Sequence, residues 1–185
     1  MTESLLELLH RHSYQEGEVR LSSGKVSDFF IDCKQTVLLG VGHQRVAEAM
    51  FDALMACGDE FDAVAGVELG GCPLASAVAM LAHQRGAGWD AVYVRKEPKG
   101  HGSSRRLEGN SHLPADARIA VLEDVVTTGG STLRAVQQLR EAGYHVGRVV
   151  AIVDRQEGGA SAIREAGLEF QALFTRSDFQ GQGDA

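Results

Sequence analysis

The segment with the clearest structural signal reads Ala120-Val-Leu-Glu-Asp-Val-Val-Thr-Thr-Gly-Gly-Ser-Thr132. The residues from Ile119 to Leu122 are apolar and largely β-branched, which predicts a short buried parallel strand that ends at two adjacent carboxylates. Beyond the glycines, apolar residues recur at helical spacing from Leu133 to Leu139, and Gly143 then predicts the end of a helix. The turn therefore joins the end of a strand to the start of a helix.

This turn has the properties of an anion site. The first N–H groups of a helix and the positive end of its dipole face outward, and Gly129 and Gly130 let the backbone close around a phosphate. Hydroxyl donors are added by Thr127, Thr128, Ser131 and Thr132. Glu123 and Asp124 are acceptors, which suits two neighbouring sugar hydroxyls or a cation that those hydroxyls share. A phosphate beside a vicinal diol indicates 5-phosphoribose; the alternative is a glycine-rich turn with a solvated acidic pair.

Two common phosphate-binding motifs are excluded because they lack required residues. A Walker A loop ends in Gly-Lys-Ser/Thr, and no such lysine is present. A dinucleotide-binding fold places its ribose-binding acid well after the glycines, whereas here the acids precede them.

Composition limits the class of protein. A chain of 185 residues with 44% hydrophobic residues predicts one domain, long enough to bury roughly 70% of its unfolded surface. The three cysteines are scattered, so neither a disulfide framework nor a zinc site is expected. A start rich in glutamate and the lack of 18 consecutive apolar residues predict a cytoplasmic protein without membrane insertion. The net charge of −7 argues against nucleic acid as a partner.

A basic cluster stands out against this acidic background. Residues 95–106 carry six basic or imidazole side chains in twelve positions, with glycines between them. Lys99 and His101, brought over a pyrophosphate leaving group, would stabilise its developing charge and exclude water. Arg95 and Lys96 are predicted to contact the same group. The alternative is a solvated surface loop.

These motifs resemble those of a known family. An apolar strand, an acidic pair and Thr-Thr-Gly-Gly-Ser form the phosphoribosyl pyrophosphate motif of type I phosphoribosyltransferases. The pattern Arg-Lys-Glu-x-Lys-x-His-Gly at Arg95–Gly102 resembles the catalytic loop of orotate phosphoribosyltransferases, and the resemblance extends from Leu21 to Ser177. It implies conversion of orotate and 5-phosphoribosyl 1-pyrophosphate to orotidine 5′-phosphate and pyrophosphate in pyrimidine biosynthesis. It also implies Mg²⁺ held through the substrate or through water to Asp124, and a homodimer that shares residues 95–106 across subunits.

The resemblance assigns roles to individual residues. Catalytic roles fall to Lys99, His101 and Asp124, and Glu123 joins Asp124 at the ribose hydroxyls. The 5-phosphate is assigned to Thr127, Thr128, Gly129, Gly130 and Ser131, and Val125 and Val126 just before them are assigned to substrate binding. Pyrophosphate is expected on the amides around Gly70 and Gly71; some orotate enzymes carry a lysine where Gly70 stands, which leaves its replacement open.

The base-binding residues come from the two ends of the chain. Arg155 follows a predicted strand, and its guanidinium fits the carboxylate of orotate, with Thr127 beside it. The alternative is a structural pair between Arg155 and its neighbouring aspartate. Lys25, Phe29 and Phe30 match the Ser-Gly-Lys and Phe-Phe elements of the family and are assigned to substrate binding. Their alternatives are a solvated lysine and core aromatics.

The predicted fold is a single α/β domain with a doubly wound, mostly parallel sheet flanked by helices. We expect a small N-terminal hood at residues 1–40, a core at 41–175 with four strand–helix units, and segments after Arg155 that join the hood. Two other functions remain open: a phosphoribosyltransferase for another base, and a non-catalytic regulator that senses phosphoribosyl pyrophosphate.

Overall fold

Two β-sheets organise the chain, for which the computed structural model describes residues 3–20, 26–96 and 106–180. The strands are β1 (Tyr14–Arg20), β2 (Val26–Ile31), β3 (Ala63–Val67), β4 (Asp90–Val94), β5 (Leu107–Glu108), β6 (Arg118–Val126), β7 (His145–Asp154) and β8 (Glu169–Thr175). The helices are α1 (Leu5–His12), α2 (Lys34–Val37), α3 (Gly40–Ala56), α4 (Gly71–Gln84), α5 (Gly130–Glu141), α6 (Gly159–Glu165) and α7 (Arg176–Gln180).

The larger sheet has the strand order β5-β4-β3-β6-β7-β8, and its pairs are parallel except for the short β4–β5 pair. Alternate residues of each strand face opposite sides of this sheet. Leu122 lies in a core cluster with apolar residues of α3 and α4, whereas Val121 lies in a second cluster with residues of α5 and α6. Helices therefore cover both faces, which confirms the predicted doubly wound α/β architecture.

Two features differ from the sequence prediction. The strand predicted to end at Leu122 continues as β6 to Val126, because β7 runs alongside it and offers backbone partners, with Val125 opposite Val153. The acidic pair thus lies within the strand. In addition, the described part of the predicted core at 41–175 has three strand–helix units rather than four, because β3, β6 and β7 are each followed by a helix whereas β4 is followed by β5.

The smaller sheet pairs β1 with β2 in an antiparallel hairpin. Phe29 of β2 is fully buried, and its ring centroid lies 5.3 Å from that of Tyr14 and 5.9 Å from that of Phe179 in α7. The C-terminal helix therefore packs against the N-terminal hairpin. The boundary of the hood near residue 40 stays a prediction; α3 begins at Gly40. None of the described helices combines the length and apolarity needed to cross a membrane.

Candidate active site

The predicted site residues converge at the carboxyl-terminal edge of the large sheet. There β3 ends at Val67, β4 at Val94, β6 at Val126 and β7 at Asp154. Parallel strands place the turns that follow them side by side, and open α/β sheets bind ligands at this edge.

The turn between β6 and α5 forms a cradle for an anion. Gly129 has φ +78°, a backbone conformation that other residues rarely adopt, and α5 begins directly after it at Gly130. The side chains of Thr127 and Ser131 are half-buried, whereas Thr128 is exposed. The unpaired N–H groups of the first helical turn and the dipole of a 12-residue helix favour a bound anion here.

The start of α6 packs closely against this cradle. The N–H of Gly159 donates to the carbonyl of Thr127 over 3.0 Å, and a Cβ at position 159 would stand 2.7 Å from the same oxygen. A side chain there would push the turn out of place, so a glycine is required. The N–H of Arg155 also donates to the carbonyl of Val126, over 2.9 Å. The turns after β6 and β7 are therefore held together through their backbones.

The acidic pair lies beside the cradle in two different environments. Glu123 is buried with 5% exposure, and the hydroxyl of Thr132 donates to its Oε2 over 3.1 Å. Asp124 is half-buried, and its Oδ1 accepts from the N–H of Val125 over 2.9 Å. Thr132 was predicted as a phosphate donor; it is instead fully buried and holds Glu123.

Burial changes the acidity of Glu123. Desolvation, followed by the neighbouring charge of Asp124 and a hydrogen bond to it, raises the pKa of Glu123 to about 8. Glu123 is therefore protonated at neutral pH in the unliganded protein. The half-buried carboxylate of Asp124, next to the phosphate cradle, is suited to accept hydrogen bonds from sugar hydroxyls.

The turn after β3 passes directly against the acidic pair. A Cβ at Gly70 would stand 2.0 Å from Oδ2 of Asp124, and one at Gly71 would stand 2.7 Å from the carbonyl of Leu122. A side chain at position 70 would therefore require the carboxylate of Asp124 to move. Glu68 links this turn to the end of β4, because its carboxylate accepts from the N–H of Lys96 over 3.1 Å. The peptide bond between Glu68 and Leu69 is cis.

The basic segment is described only at its two ends. The N–H of Arg95 donates to the carbonyl of Arg106 over 2.8 Å, which closes the base of the segment. The Arg95 guanidinium lies 3.6 Å from the carboxylate of Glu108, and Lys96 is exposed. Lys99 and His101 lie outside the described residues, as does Lys25, so their roles stay predictions.

The base side of the site connects β7 to the N-terminal hairpin. Arg155 is half-buried; its Nη2 donates to the carbonyl of Phe29 over 3.2 Å and lies 2.8 Å from the carboxylate of Glu157. The Arg155 and Arg176 guanidinium carbons lie 5.8 and 5.4 Å from the centre of the Phe29 ring. Phe29 is thus packed in the core, whereas Phe30 is half-buried.

Three contributors were not found by sequence reasoning. Oε1 of Glu157 lies 2.8 Å from Nη2 of Arg155, so a ligand carboxylate at that nitrogen would have to displace Glu157. Nζ of Lys34 lies 2.5 Å from Oδ1 of Asp32. The hydrogen bond between them raises the pKa of Lys34, and the charge of Asp124 adds a smaller effect in the same direction. Arg176 flanks Phe29 from a helix near the end of the chain. Only Lys34 had a detectable signal, as a charged residue close to the Phe-Phe element.

The sequence of this chain is similar to those of known proteins. The model of the phosphoribosyl transferase domain family matches residues 35–163. The orotate phosphoribosyltransferase of Sorangium cellulosum (strain So ce56) is 56% identical over 177 residues, which cover 96% of this chain and 92% of that protein.

Solved structures agree in fold. The orotate phosphoribosyltransferase of Mycobacterium tuberculosis H37Rv, in complex with Fe(III) dicitrate, matches with a TM-score of 0.79 and 34% identity over 95% of this chain and 96% of that one. A complex of the same enzyme with 5-phospho-alpha-D-ribosyl 1-diphosphate matches with a TM-score of 0.77 and 30% identity, over the same shares of the two chains.

Fold, phosphate cradle and acidic pair define a type I phosphoribosyltransferase. The sequence similarity to orotate phosphoribosyltransferases covers nearly the whole chain. Within the type I class, the chain therefore belongs to the orotate phosphoribosyltransferase family.

Proposed function

We propose that this protein transfers the 5-phosphoribosyl group of phosphoribosyl pyrophosphate to orotate. A ring nitrogen of orotate bonds to C1 of the ribose, the bond from C1 to pyrophosphate breaks, and the products are orotidine 5′-phosphate and pyrophosphate. The observation that carries this proposal is the contact between three parts: the phosphate cradle at Thr127–Ser131, the acidic pair inside β6, and Arg155, whose N–H donates to Val126.

The geometry supports a separate task for each part. The amides and hydroxyls of residues 127–131 would bind the 5-phosphate, and the backbone at Val125 and Val126 leads into this turn. Asp124 would accept from the ribose hydroxyls, with Glu123 behind it. Arg155 would bind the carboxylate of orotate as a fork. Positive charge that develops on the ribose ring is balanced by Asp124, while cations stabilise the departing pyrophosphate.

We propose Mg²⁺ as the cofactor. No group of three or more His, Cys, Asp or Glu side chains that could hold a metal ion occurs in residues 3–20, 26–96 and 106–180. The cation would therefore take most of its oxygen ligands from the substrate, and Asp124, half-buried and charged, would reach it through those hydroxyls or through water. When bound, Mg²⁺ would neutralise part of the pyrophosphate charge.

We propose a homodimer in which residues 95–106 serve the site of the neighbouring subunit. The face of α4 supports this proposal, because Cys72, Ser76 and Met80 share one side by helical spacing. Met80 is 58% exposed, and Leu69, just before the helix, is 66% exposed. Ser76 is hydrogen-bonded to Tyr93 of β4, which extends this apolar face to the strand that leads into the basic segment. Burying such a face beside the site suits a twofold interface.

A cytoplasmic location is proposed as well. Cys33, Cys57 and Cys72 are free thiols in the structure, and Cys33 is fully buried. Such thiols persist in a reducing compartment.

Loss of orotate absorbance, followed on mixing with phosphoribosyl pyrophosphate and Mg²⁺, tests the function. We expect orotate to be consumed only when all three components are present. Consumption of adenine, guanine or uracil in its place would identify a phosphoribosyltransferase for another base. Binding of phosphoribosyl pyrophosphate without turnover of any base would indicate a regulator.

A further inference from the structure

One side of α5 connects the phosphate cradle to the base of the basic segment. Ser131, Ala135 and Gln138 follow one another at helical spacing and line a cavity of about 20 Å³ together with Val94 and Arg95 at the end of β4. Gln138 also lines a larger cavity, of about 670 Å³, whose walls include Arg106 and Leu107. It therefore lies beneath both ends of the basic segment, where the N–H of Arg95 donates to the carbonyl of Arg106.

The amide oxygen of Gln138 is buried in this position. Within the ranges that the structure describes, it has no hydrogen-bond partner. Leaving a buried acceptor without a donor destabilises a native protein, so such an atom calls for an explanation. The cations that line the same small cavity are Arg95, Lys96 and Arg134.

Of these cations, Arg95 is best placed to donate. Arg134 is exposed, and its Nη1 lies 3.6 Å from the position of a Cβ on Gly130, toward the start of α5 and away from Gln138. Lys96 is exposed, and its N–H is bound by Glu68. Arg95 follows directly after β4, and its guanidinium lies 3.6 Å from the carboxylate of Glu108 in an ion pair whose side chains are 33% and 40% exposed. The Arg95 side chain lines the same small cavity as Gln138.

We propose that Gln138 is a positioning residue for Arg95. When pyrophosphate occupies the site, the buried amide oxygen of Gln138 accepts a hydrogen bond from the Arg95 guanidinium and holds it toward the ligand. This inference rests on the proposed function, in which Arg95 contacts the pyrophosphate of the substrate. In this arrangement, α5 contacts the 5-phosphate through its first turn. Two turns further along, through Gln138, it holds Arg95, the cation that contacts pyrophosphate.

Three variants test this role. Gln138→Met keeps the size of the side chain but removes the acceptor, whereas Gln138→Glu keeps an acceptor oxygen. Gln137→Met is a matched control on the same helix, since Gln137 is exposed and its amide donates to Glu141. For Gln138→Met we expect a roughly 10-fold rise in KM for phosphoribosyl pyrophosphate and in Kd for pyrophosphate, because one hydrogen bond to a charged group is lost. KM for orotate should not change, and the Tm of Gln138→Met should not fall, because the buried oxygen has no partner to lose in the unliganded protein. Gln138→Glu and Gln137→Met should stay near wild type.

A double-mutant cycle identifies the donor. If Gln138 acts through Arg95, Gln138→Met should add no further loss in an Arg95→Met background. Additive losses, coupling to Arg134→Met instead, or unchanged affinity for pyrophosphate in Gln138→Met would overturn the proposal. Calorimetry with pyrophosphate and Mg²⁺ measures the effect without turnover. A wild-type protein that binds pyrophosphate but does not consume orotate would reject the proposed function and leave this test in force.

Discussion

The two sides of the site are built in opposite ways. On the phosphate side, the acidic pair, the cradle and the start of α5 are continuous in the chain from Glu123 to Thr132. On the base side, Arg155 meets the carbonyl of Phe29 across 126 positions of sequence, and Phe29 is held by Phe179 from a third segment. The phosphate side therefore comes mostly from one continuous segment, whereas the base side brings together the turn after β7, the N-terminal hairpin and α7.

The two sides of the site also differ in their electrostatics. The phosphate side relies on backbone N–H groups and on a carboxylate pair in which burial raises the pKa of Glu123. The base side relies on one guanidinium whose partners include the carboxylate of Glu157 and the carbonyl of Phe29. Exchanging Glu157 for the carboxylate of orotate would keep the charge of this region balanced. If the two sides are energetically separate, substitutions on one should leave ligand binding on the other unchanged.

The largest effect is expected on the base side. Arg155→Ala should weaken orotate binding by about 2–5 kcal/mol, because a desolvated carboxylate is left without its charged partner. The affinity for phosphoribosyl pyrophosphate should not change. Arg155→Lys should bind orotate with an affinity between those of wild type and Arg155→Ala, since lysine keeps the charge but not the two parallel donors. Calorimetry with each ligand measures both affinities. Equal losses for the two ligands would show that the sides are not separate.

The basic segment adds a third region, which we propose is supplied by the neighbouring subunit. Lys99→Ala should lower turnover by about 10²–10³, the usual effect of losing one preorganised donor at a developing charge. Asp124→Ala should disable the phosphate side of its own subunit. Unfolding, mixing in equal amounts and refolding gives mixed dimers in about half of the population, each with one working site, so activity should recover to about a quarter of wild type.

Mass spectrometry of tagged chains confirms whether mixed dimers formed in this experiment. Mixed dimers without recovered activity would mean that residues 95–106 act within their own subunit. Full activity of Lys99→Ala alone would remove the catalytic role of the segment.

A smaller effect is expected from the buried hydroxyl behind the acidic pair. Thr132→Val keeps the shape of the side chain but removes the donor to Glu123, so KM for phosphoribosyl pyrophosphate should rise roughly 10-fold. Thr132→Ser keeps the hydroxyl and should retain most of the affinity. Thr36→Val is a control, because the Thr36 hydroxyl is equally buried but bonds to Ser13 and Leu8, in the N-terminal region. An equal rise in KM for Thr36→Val would mean that general destabilisation causes the effect.

The smallest effect concerns stability rather than activity. Because burial raises the pKa of Glu123 from its usual value of 4.5 to about 8, the folded protein keeps this proton over a range in which the unfolded chain releases it. The free energy of unfolding should therefore fall between about pH 4.5 and 8 as the pH rises. Glu123→Gln cannot ionise and should raise Tm by several degrees at pH 9 but not at pH 5. Parallel curves of Tm against pH for the two proteins would contradict the raised pKa.

The phosphate side was the part of the site that the sequence predicted well. The apolar run, the two carboxylates, Gly129 and the helical spacing after Leu133 all act over about ten residues, and the structure has the cradle and α5 where they were predicted. The end of β6 was placed four residues too early. Its extension to Val126 depends on backbone partners from β7, which local periodicity does not reveal. For the same reason, the sequence did not reveal that Thr132 faces Glu123 rather than a ligand.

By itself, the sequence determined the doubly wound class, the order of strand, turn and helix around the phosphate site, and the local shape of that turn. These properties depend on backbone preferences and on the period of apolar residues, which are local. Only the tertiary structure decided that Gly70 lies against Asp124, that Phe29 is buried beside Arg155 and that the oxygen of Gln138 is enclosed beneath Arg95. Such contacts join segments far apart in the chain, and they exist only once the packing of the sheet and its helices has excluded water from between them.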